Sequence, residues 1–366
     1  MRLEKGEISS SQLMFLVAGF IQGTNLAGAF VVDIAKQDIW LVILSGLAIS
    51  ILFALVCISL ALKFPDKNLM EINDIIYGPY LGKLISVLYI WFFLSLIFLN
   101  LRFISDFLLI YIMPETPIEA IMIMFIFVCA WAVRSGIEVI ARSSVIFVVI
   151  ITAIVFTTFV LLLKDMDITN FLPVFELTPK AFIQGTHITA IISFSEILVF
   201  LMVVPFSNRV KQVKKSILLG LIIGGVTLLI VDIQDWAVLG ATSTIMASPF
   251  FEAVRLINIG NIFTKLEILV AIVLIIAIFL KICVLYHATV LSISQVLKLR
   301  TYVPLVIPVG IISICLAILA FNSDMEHAYW GSEIAATYSL PFEYLIPLVT
   351  LLVAKIRGIP ERRREK

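Results

Sequence analysis

Long apolar stretches alternate with short polar connections along the whole chain. The apolar stretches fall near 11–33, 38–62, 82–112, 118–134, 143–163, 181–205, 215–235, 265–290, 302–320 and 337–354. A helix that crosses a bilayer needs about 20 apolar residues. Ten stretches therefore predict ten transmembrane helices. Membrane β-strands would alternate polar and apolar positions over about 10 residues, and these stretches do not alternate. Inside lipid each backbone group must be satisfied within its own segment, which enforces helix. The third stretch is long enough to tilt or to project from the bilayer. Composition sharpens the picture. Of the 366 residues 61% are hydrophobic and only 14% are charged, and mean hydropathy is +1.13. A soluble domain is nearer half apolar and a quarter charged. A soluble enzyme, a nucleic-acid binder and a disordered scaffold are thus excluded. The net charge of +1 implies no polyanionic partner. The chain reads as one all-α integral membrane domain over 1–366.

Orientation follows from the basic residues, which favour the cytoplasmic side. With the N-terminus inside, nineteen of the 26 Lys and Arg fall in inner segments and five in outer ones. Arg102 and Lys281 lie within spans. Both termini are therefore expected to be cytoplasmic, with a basic tail over 355–366. Ala27-Gly28-Ala29 mimics a signal-peptidase site. However, Glu4 and Glu7 offset Arg2 and Lys5, and the apolar run continues past the site, so the first stretch reads as a retained span. Cys57, Cys129, Cys283 and Cys315 each lie in an apolar run and read as small hydrophobes. The outer connection over 236–264 is long enough for short helices.

Ten spans divide into five plus five, over 11–163 and 181–354. An odd number per half inserts the second half inverted, as in inverted-repeat transporters, whose sites are built by interrupted helices. The corresponding spans one and six carry candidate interruptions. Span one holds Gln22-Gly23-Thr24-Asn25 and then Gly28. Span six holds Gly185-Thr186, then Ser193-Phe194-Ser195-Glu196, and ends at Pro205. Gly23, Thr24, Asn25 and Gly28, with Ser193, Ser195 and Glu196, are the candidate ligand-binding residues. An opened turn there would aim backbone N–H groups at a carboxylate; the competing reading is close packing at the glycines. Glu196 lies mid-span, where an ionisable group is costly and functional by default. It could bind an amine, carry a proton or pair with Lys281. Lys281 is about 14 Å of helix from the end of its span, too deep to snorkel easily, so a buried partner is expected. Glu196 and Lys281 are also the candidate ion-site or gating residues. Arg102 and Asp106, four apart on one face, read as a structural ion pair. Asp232 and Asp235 read as solvated at an outer helix end, and Glu267 as a favourable charge at a helix N-terminus. His187 and His287 fall near span ends and His327 in an outer loop, so no metal site is expected. Trp40 and Trp330 fit an interfacial aromatic belt. No catalytic or nucleotide-binding motif is present, so neither an enzyme nor a cofactor is expected.

These residues resemble a known family, the B subunits of endospore germinant receptors, which are spore germination permeases of the amino acid–polyamine–organocation superfamily. The resemblance covers nearly the whole chain. It rests on the Gly-containing first span, Leu172-Pro173-Val174, and Ser193 to Pro205 followed by the basic Arg209–Lys215. Pro249 through Arg255 leading to Thr264-Lys265-Leu266-Glu267 adds to it. Members often carry Arg where this chain has Lys265, and many show Leu-Pro where it has Val31-Val32-Asp33. The resemblance implies a LeuT-like 5+5 fold with helices 1 and 6 broken. In that fold span eight faces span one near an ion site, so the Lys281 ammonium could stand where relatives hold sodium. It further implies the spore inner membrane, partner A and C subunits, and the sensing of a small germinant, commonly an amino acid, to trigger germination. A working amino-acid or cation symporter, or an ion or water conduit, are the competing functions.

Overall fold

The computed structural model describes residues 6–24, 28–257 and 266–359. Among them seven helices are long and apolar enough to cross a membrane: Val31–Lys63, Leu81–Tyr111, Ile137–Leu162, Pro179–Met202, Val210–Ile245, Glu267–Val296 and Asp324–Ile356. Shorter apolar helices over Ser10–Gln22 and Val303–Leu319 complete the bundle with Ile118–Arg134. In chain order the first α-helices are α1 (Ser10–Gln22), α2 (Gly28–Ala35), α3 (Ile39–Lys63), α4 (Leu69–Tyr77) and α5 (Leu81–Tyr111). Next come α6 (Ile118–Arg134), α7 (Ile137–Leu162), α8 (Pro179–Ile188), α9 (Val213–Leu239) and α10 (Pro249–Arg255). The last are α11 (Glu267–Val296), α12 (Val306–Leu319), α13 (Asp324–Tyr329), α14 (Ala335–Leu340) and α15 (Ile346–Ile356).

The helix starts follow local chemistry. Ser9 and Gln12 form a reciprocal capping box at the start of α1, and Asn68 and Glu71 do the same for α4. Thr178 caps α8, whose first position is Pro179. Within the bundle, burial separates centre from rim. Of the most apolar 18-residue stretch, 89% is buried in Pro179–Met202 but only 28% in α7. On the rim α6 leaves Phe127 64% and Trp131 69% exposed, a cost in water that vanishes against lipid. At the centre α1 packs on α9, α7 and α11. Its approach to α11 is so close that a Cβ on Gly23 would stand 2.8 Å from the Ala277 carbonyl oxygen.

Two spans are not continuous α-helices. The first ends as α-helix at Gln22 and resumes as α2 at Gly28. The sixth leaves α-helical geometry at Thr189, makes a π turn over Thr189–Phe194 and tightens to 3₁₀ over Ser195–Met202. Small and hydroxyl residues lie at both places, where side-chain hydroxyls substitute for lost backbone partners. At one end of the bundle Ile8 bridges Ser207, through Ile8 N–H to the Phe206 carbonyl at 2.9 Å and Asn208 N–H to the Ile8 carbonyl at 3.0 Å. The N-terminal segment and the loop after span six are thereby tied together.

Several expectations need correction. The last helix starts at Asp324, not near 337: Ser323 caps it, and its polar first turns are largely exposed, with only His327 and Gly331 buried. His327 is accordingly a buried helical residue and not part of a loop. Trp330 is half-buried and packs against Phe321 and Tyr338, and His287 is fully buried in α11. Asp232 and Asp235 are each only 6% exposed, since α9 continues to Leu239 and is covered by α10 and the 240–245 turn. The amphipathic α4 lies in a connection the hydropathy pattern left unassigned. Its Asp74 carboxyl is raised above the usual range by partial burial, a shift that Lys83 opposes.

Candidate functional site

The two helix discontinuities meet. The Thr24 hydroxyl, bonded to the Ile21 carbonyl, lies 3.1 Å from the Ser193 carbonyl oxygen. Ser195 donates to the Ala190 carbonyl at 2.8 Å, and its hydroxyl is 2.6 Å from that of Tyr344. Ser50 on α3 donates to the same Ala190 carbonyl. Backbone oxygens released by the π turn are thus met by hydroxyls from three elements.

Beside this meeting point Lys281 Nζ stands 2.8 Å from Glu196 Oε2. The lysine is 1% and the glutamate 6% exposed. Burial at that level removes the snorkelling account of Lys281. The ammonium also lies 5.5 Å from the centre of the Phe20 ring, within range of a cation–π attraction. Phe20 in turn packs edge-on to Phe200. Glu196, Lys281 and Phe20 come from three separate elements, so the pair exists only when the bundle is assembled.

A cavity of about 80 Å³ opens on this pair, lined by Gly23, Thr24, Ile192, Glu196, Lys281 and, farther along, Asn100, His327 and Trp330. A buried water needs roughly 10–15 Å³ by this measure, so the space admits several waters or a solute as small as an amino acid. Of the expected ligand-binding residues, Gly23, Thr24 and Glu196 line it. Ser193 and Ser195 are buried behind it and hold the turn. Gly28 opens α2. Asn25 lies outside the described residues. A larger cleft of about 510 Å³ runs between α6 and α12 over Tyr286. Its walls are largely apolar, with Arg134 and Ser135 at one end, and none of the expected site residues lies in it.

Arg102 and Asp106 form the expected ion pair, with Arg102 Nε 2.9 Å and 3.0 Å from the two carboxylate oxygens. Arg102 Nη1 also donates to the Phe321 carbonyl at 2.8 Å and the Ala317 carbonyl at 3.3 Å, closing the end of α12. His327 Nδ1 is 3.4 Å from Asp106 Oδ2, and its ring stacks on Phe321. Two residues near the site were missed by sequence reasoning. Gln22, the last residue of α1, donates to Thr227 at 3.1 Å and Thr152 at 3.3 Å. Glu343, 1% exposed, lies on the last span. Its signal was available, because an acid inside an apolar stretch warrants the same attention that Glu196 received.

Residues 7–325 match the family model described as spore germination protein. The chain belongs to the spore germination protein family. It is 27% identical to spore germination protein KB of Bacillus subtilis (strain 168), an alignment that covers 100% of this chain and 98% of that one. Spore germination protein YndE of the same organism is 24% identical over 89% of this chain and 90% of its own. Among solved structures, this spore germination protein is similar to Mhp1, a nucleobase-cation-symport-1 family transporter in a closed conformation with bromovinylhydantoin bound. The TM-score is 0.71 at 12% identity, over 96% of this chain and 78% of that one. A Na⁺-coupled sialic acid symporter in a substrate-bound, outward-open state gives a TM-score of 0.65 at 10% identity, over 94% and 88%. At such identities the likeness concerns the fold, which is that of the LeuT-like transporters. This spore germination protein is a multi-pass membrane protein with a transporter-like architecture.

Proposed function

We propose that this spore germination protein is the nutrient-sensing B-type subunit of a germinant receptor. The observation that carries the reading is the small cavity where two helix discontinuities meet a buried lysine–glutamate pair. A free amino acid suits such a place. Its carboxylate would take the N–H groups at the start of α2, and its ammonium would compete for Glu196. Gly23, Thr24, Asn25 and Gly28 form one wall in this reading, and Ser193, Ser195 and Glu196 the other. Lys281 acts as a fixed internal cation whose partner changes when ligand enters. Binding would then shift a conformational equilibrium and pass it to the A and C subunits in the spore inner membrane. The arrangement is ten spans in two inverted sets of five, both termini cytoplasmic. Reporter tags on 206–214 and on the C-terminus are expected inside and tags on 244–250 outside; an external C-terminus would remove the inverted repeat.

A second reading, an amino-acid or cation symporter, draws on the named activities of the two structural neighbours. Purified protein in proteoliposomes separates the two. A receptor binds labelled amino acid without accumulating it, whereas a symporter concentrates it under an ion gradient. Absence of amino-acid binding by the intact three-subunit receptor would sink both.

A further inference from the structure

Glu343 is a buried acid that the proposed pocket does not use. It is 1% exposed, and neither of its carboxylate oxygens has a hydrogen-bond partner in the structure. It lies in a π turn over Pro341–Leu345. Proline inside a helix lacks a donor and crowds the preceding turn, and a wider turn accommodates it; such turns recur at functional sites. This π turn packs on the 3₁₀ segment that carries Glu196. The charged groups acting on Glu343 are Glu196 from that segment and Lys281 from α11. Cys57 on α3, Tyr89 on α5 and Tyr344 on its own turn are the other titratable groups around it. None of these offers compensation. Tyr89 donates to the Phe342 carbonyl at 3.1 Å, Tyr344 is engaged with Ser195, and Lys281 is held 2.8 Å from Glu196. Among the described residues, two carboxylates therefore share one ammonium. Two buried negative charges against one positive cannot both persist, because desolvation disfavours the charged form and like charge disfavours it further.

We propose that Glu343 is a proton-binding site, and that the Glu196–Lys281–Glu343 group holds one dissociable proton. The proton is exchanged with water: an O–H bond forms at a Glu343 oxygen as hydronium returns to water, and the reverse on release. Entry of a ligand that draws Glu196 away would free Lys281 for Glu343 and expel the proton, so occupancy and protonation become linked. That linkage rests on the proposed pocket; the proton site itself does not.

Infrared difference spectroscopy on the full chain in nanodiscs, at pH 7 in sodium-free choline buffer and without amino acid, tests the site. Wild type minus Glu343→Gln should show one deuterium-sensitive protonated-carboxyl band. Glu196→Gln should lose the same band, since Glu343 then takes Lys281. Lys281→Met should show twice the wild-type amplitude at these positions. The glutamines are isosteric, and a single elution peak with unchanged helical circular dichroism verifies their fold. No band separating wild type from Glu343→Gln, or an ionised carboxylate that responds to added sodium instead, overturns the assignment. Adding an amino acid that binds the intact receptor should diminish the band. An unchanged band on saturation would overturn the linkage while leaving the proton site in place.

Discussion

The Arg102–Asp106 pair and the Lys281–Glu196 pair are both buried, yet they are made in different ways. The first is local. Its partners are four residues apart on α5, and the remaining Arg102 donors end on carbonyls of and just beyond α12. His327 Nδ1 stands 3.4 Å from Asp106 Oδ2, an oxygen that Arg102 also bonds. The second joins residues 85 positions apart, faces a cavity, and has a second acid, Glu343, beside it with no partner of its own. A satisfied network rigidifies, while a partly satisfied one in low dielectric is poised to rearrange. Arg102–Asp106 links α5 to the end of α12 and to α13, and in the proposed function Lys281–Glu196 is the pair that changes state.

The strongest test removes the cation of the second pair. Lys281→Met leaves buried carboxylates unpaired, and breaking a buried pair costs about 3–5 kcal/mol. A few kcal/mol is enough to invert a conformational equilibrium. Spores with this variant should either ignore nutrient or germinate without it, at normal subunit level. Lys281→Arg should be partly tolerated, because a planar fork needs more room than a point charge. A normal nutrient response in Lys281→Met would return this pair to the same structural class as the first.

Arg102→Met should act on stability instead. It removes charge-assisted bonds worth about 1.5–3 kcal/mol, partly made good because His327 remains beside Asp106. The purified variant should melt at lower temperature, while surviving molecules keep their nutrient dependence. Altered nutrient dependence at unchanged melting temperature would erase the distinction drawn between the pairs.

A smaller effect is expected at the wall of the cavity. Thr24→Val deletes a hydroxyl bond near Ser193, worth about 1 kcal/mol, and should change germinant affinity about five-fold with the fold intact. Asn25→Leu should act in the same direction. Binding curves on purified protein that overlay those of wild type would move the ligand away from the discontinuity in span one.

The smallest effect belongs to an exposed control. Asp167 accepts from the Thr169 hydroxyl at 2.6 Å and from its N–H at 2.8 Å, and these bonds hold its carboxyl below the usual range. A depressed carboxylate contributes order that is complete above its unfolded value, near 3.8, and is lost as pH falls through the lower folded value. The protection factor of the Thr169 amide, its exchange rate corrected for the intrinsic pH dependence, should therefore be unchanged from pH 7 to 5 and fall only below about pH 4. Germination should be indifferent to Asp167→Asn. A germination defect there would mean that an exposed carboxylate with its hydrogen bonds satisfied can also govern the response, against the contrast drawn between the pairs.

Much of this architecture was readable from residue order. The span positions, the places where spans one and six leave regular helix, and the depth of Glu196 and Lys281 followed from hydropathy and from small polar clusters. The i,i+4 pair on α5 followed from helical spacing. Other features were misread for a common reason. His327, Asp232 and Asp235 sit in polar stretches that look solvated, and they are buried because other elements fold over them. Glu343 was overlooked inside an apolar run whose π turn has no local signature beyond Pro341.

By itself the sequence determined that this chain is a helical membrane protein. Transfer of apolar side chains out of water, and the need to close backbone hydrogen bonds within each segment, are set residue by residue and span by span. Beyond pairs within one helix, the tertiary structure decided which charges meet. Lys281 acquires a partner only where α1 ends at Gln22, span six turns at Thr189 and the last span presents Glu343. The sign and number of charges in a buried space depend on three-dimensional proximity over a few ångströms, and no one-dimensional pattern encodes that distance.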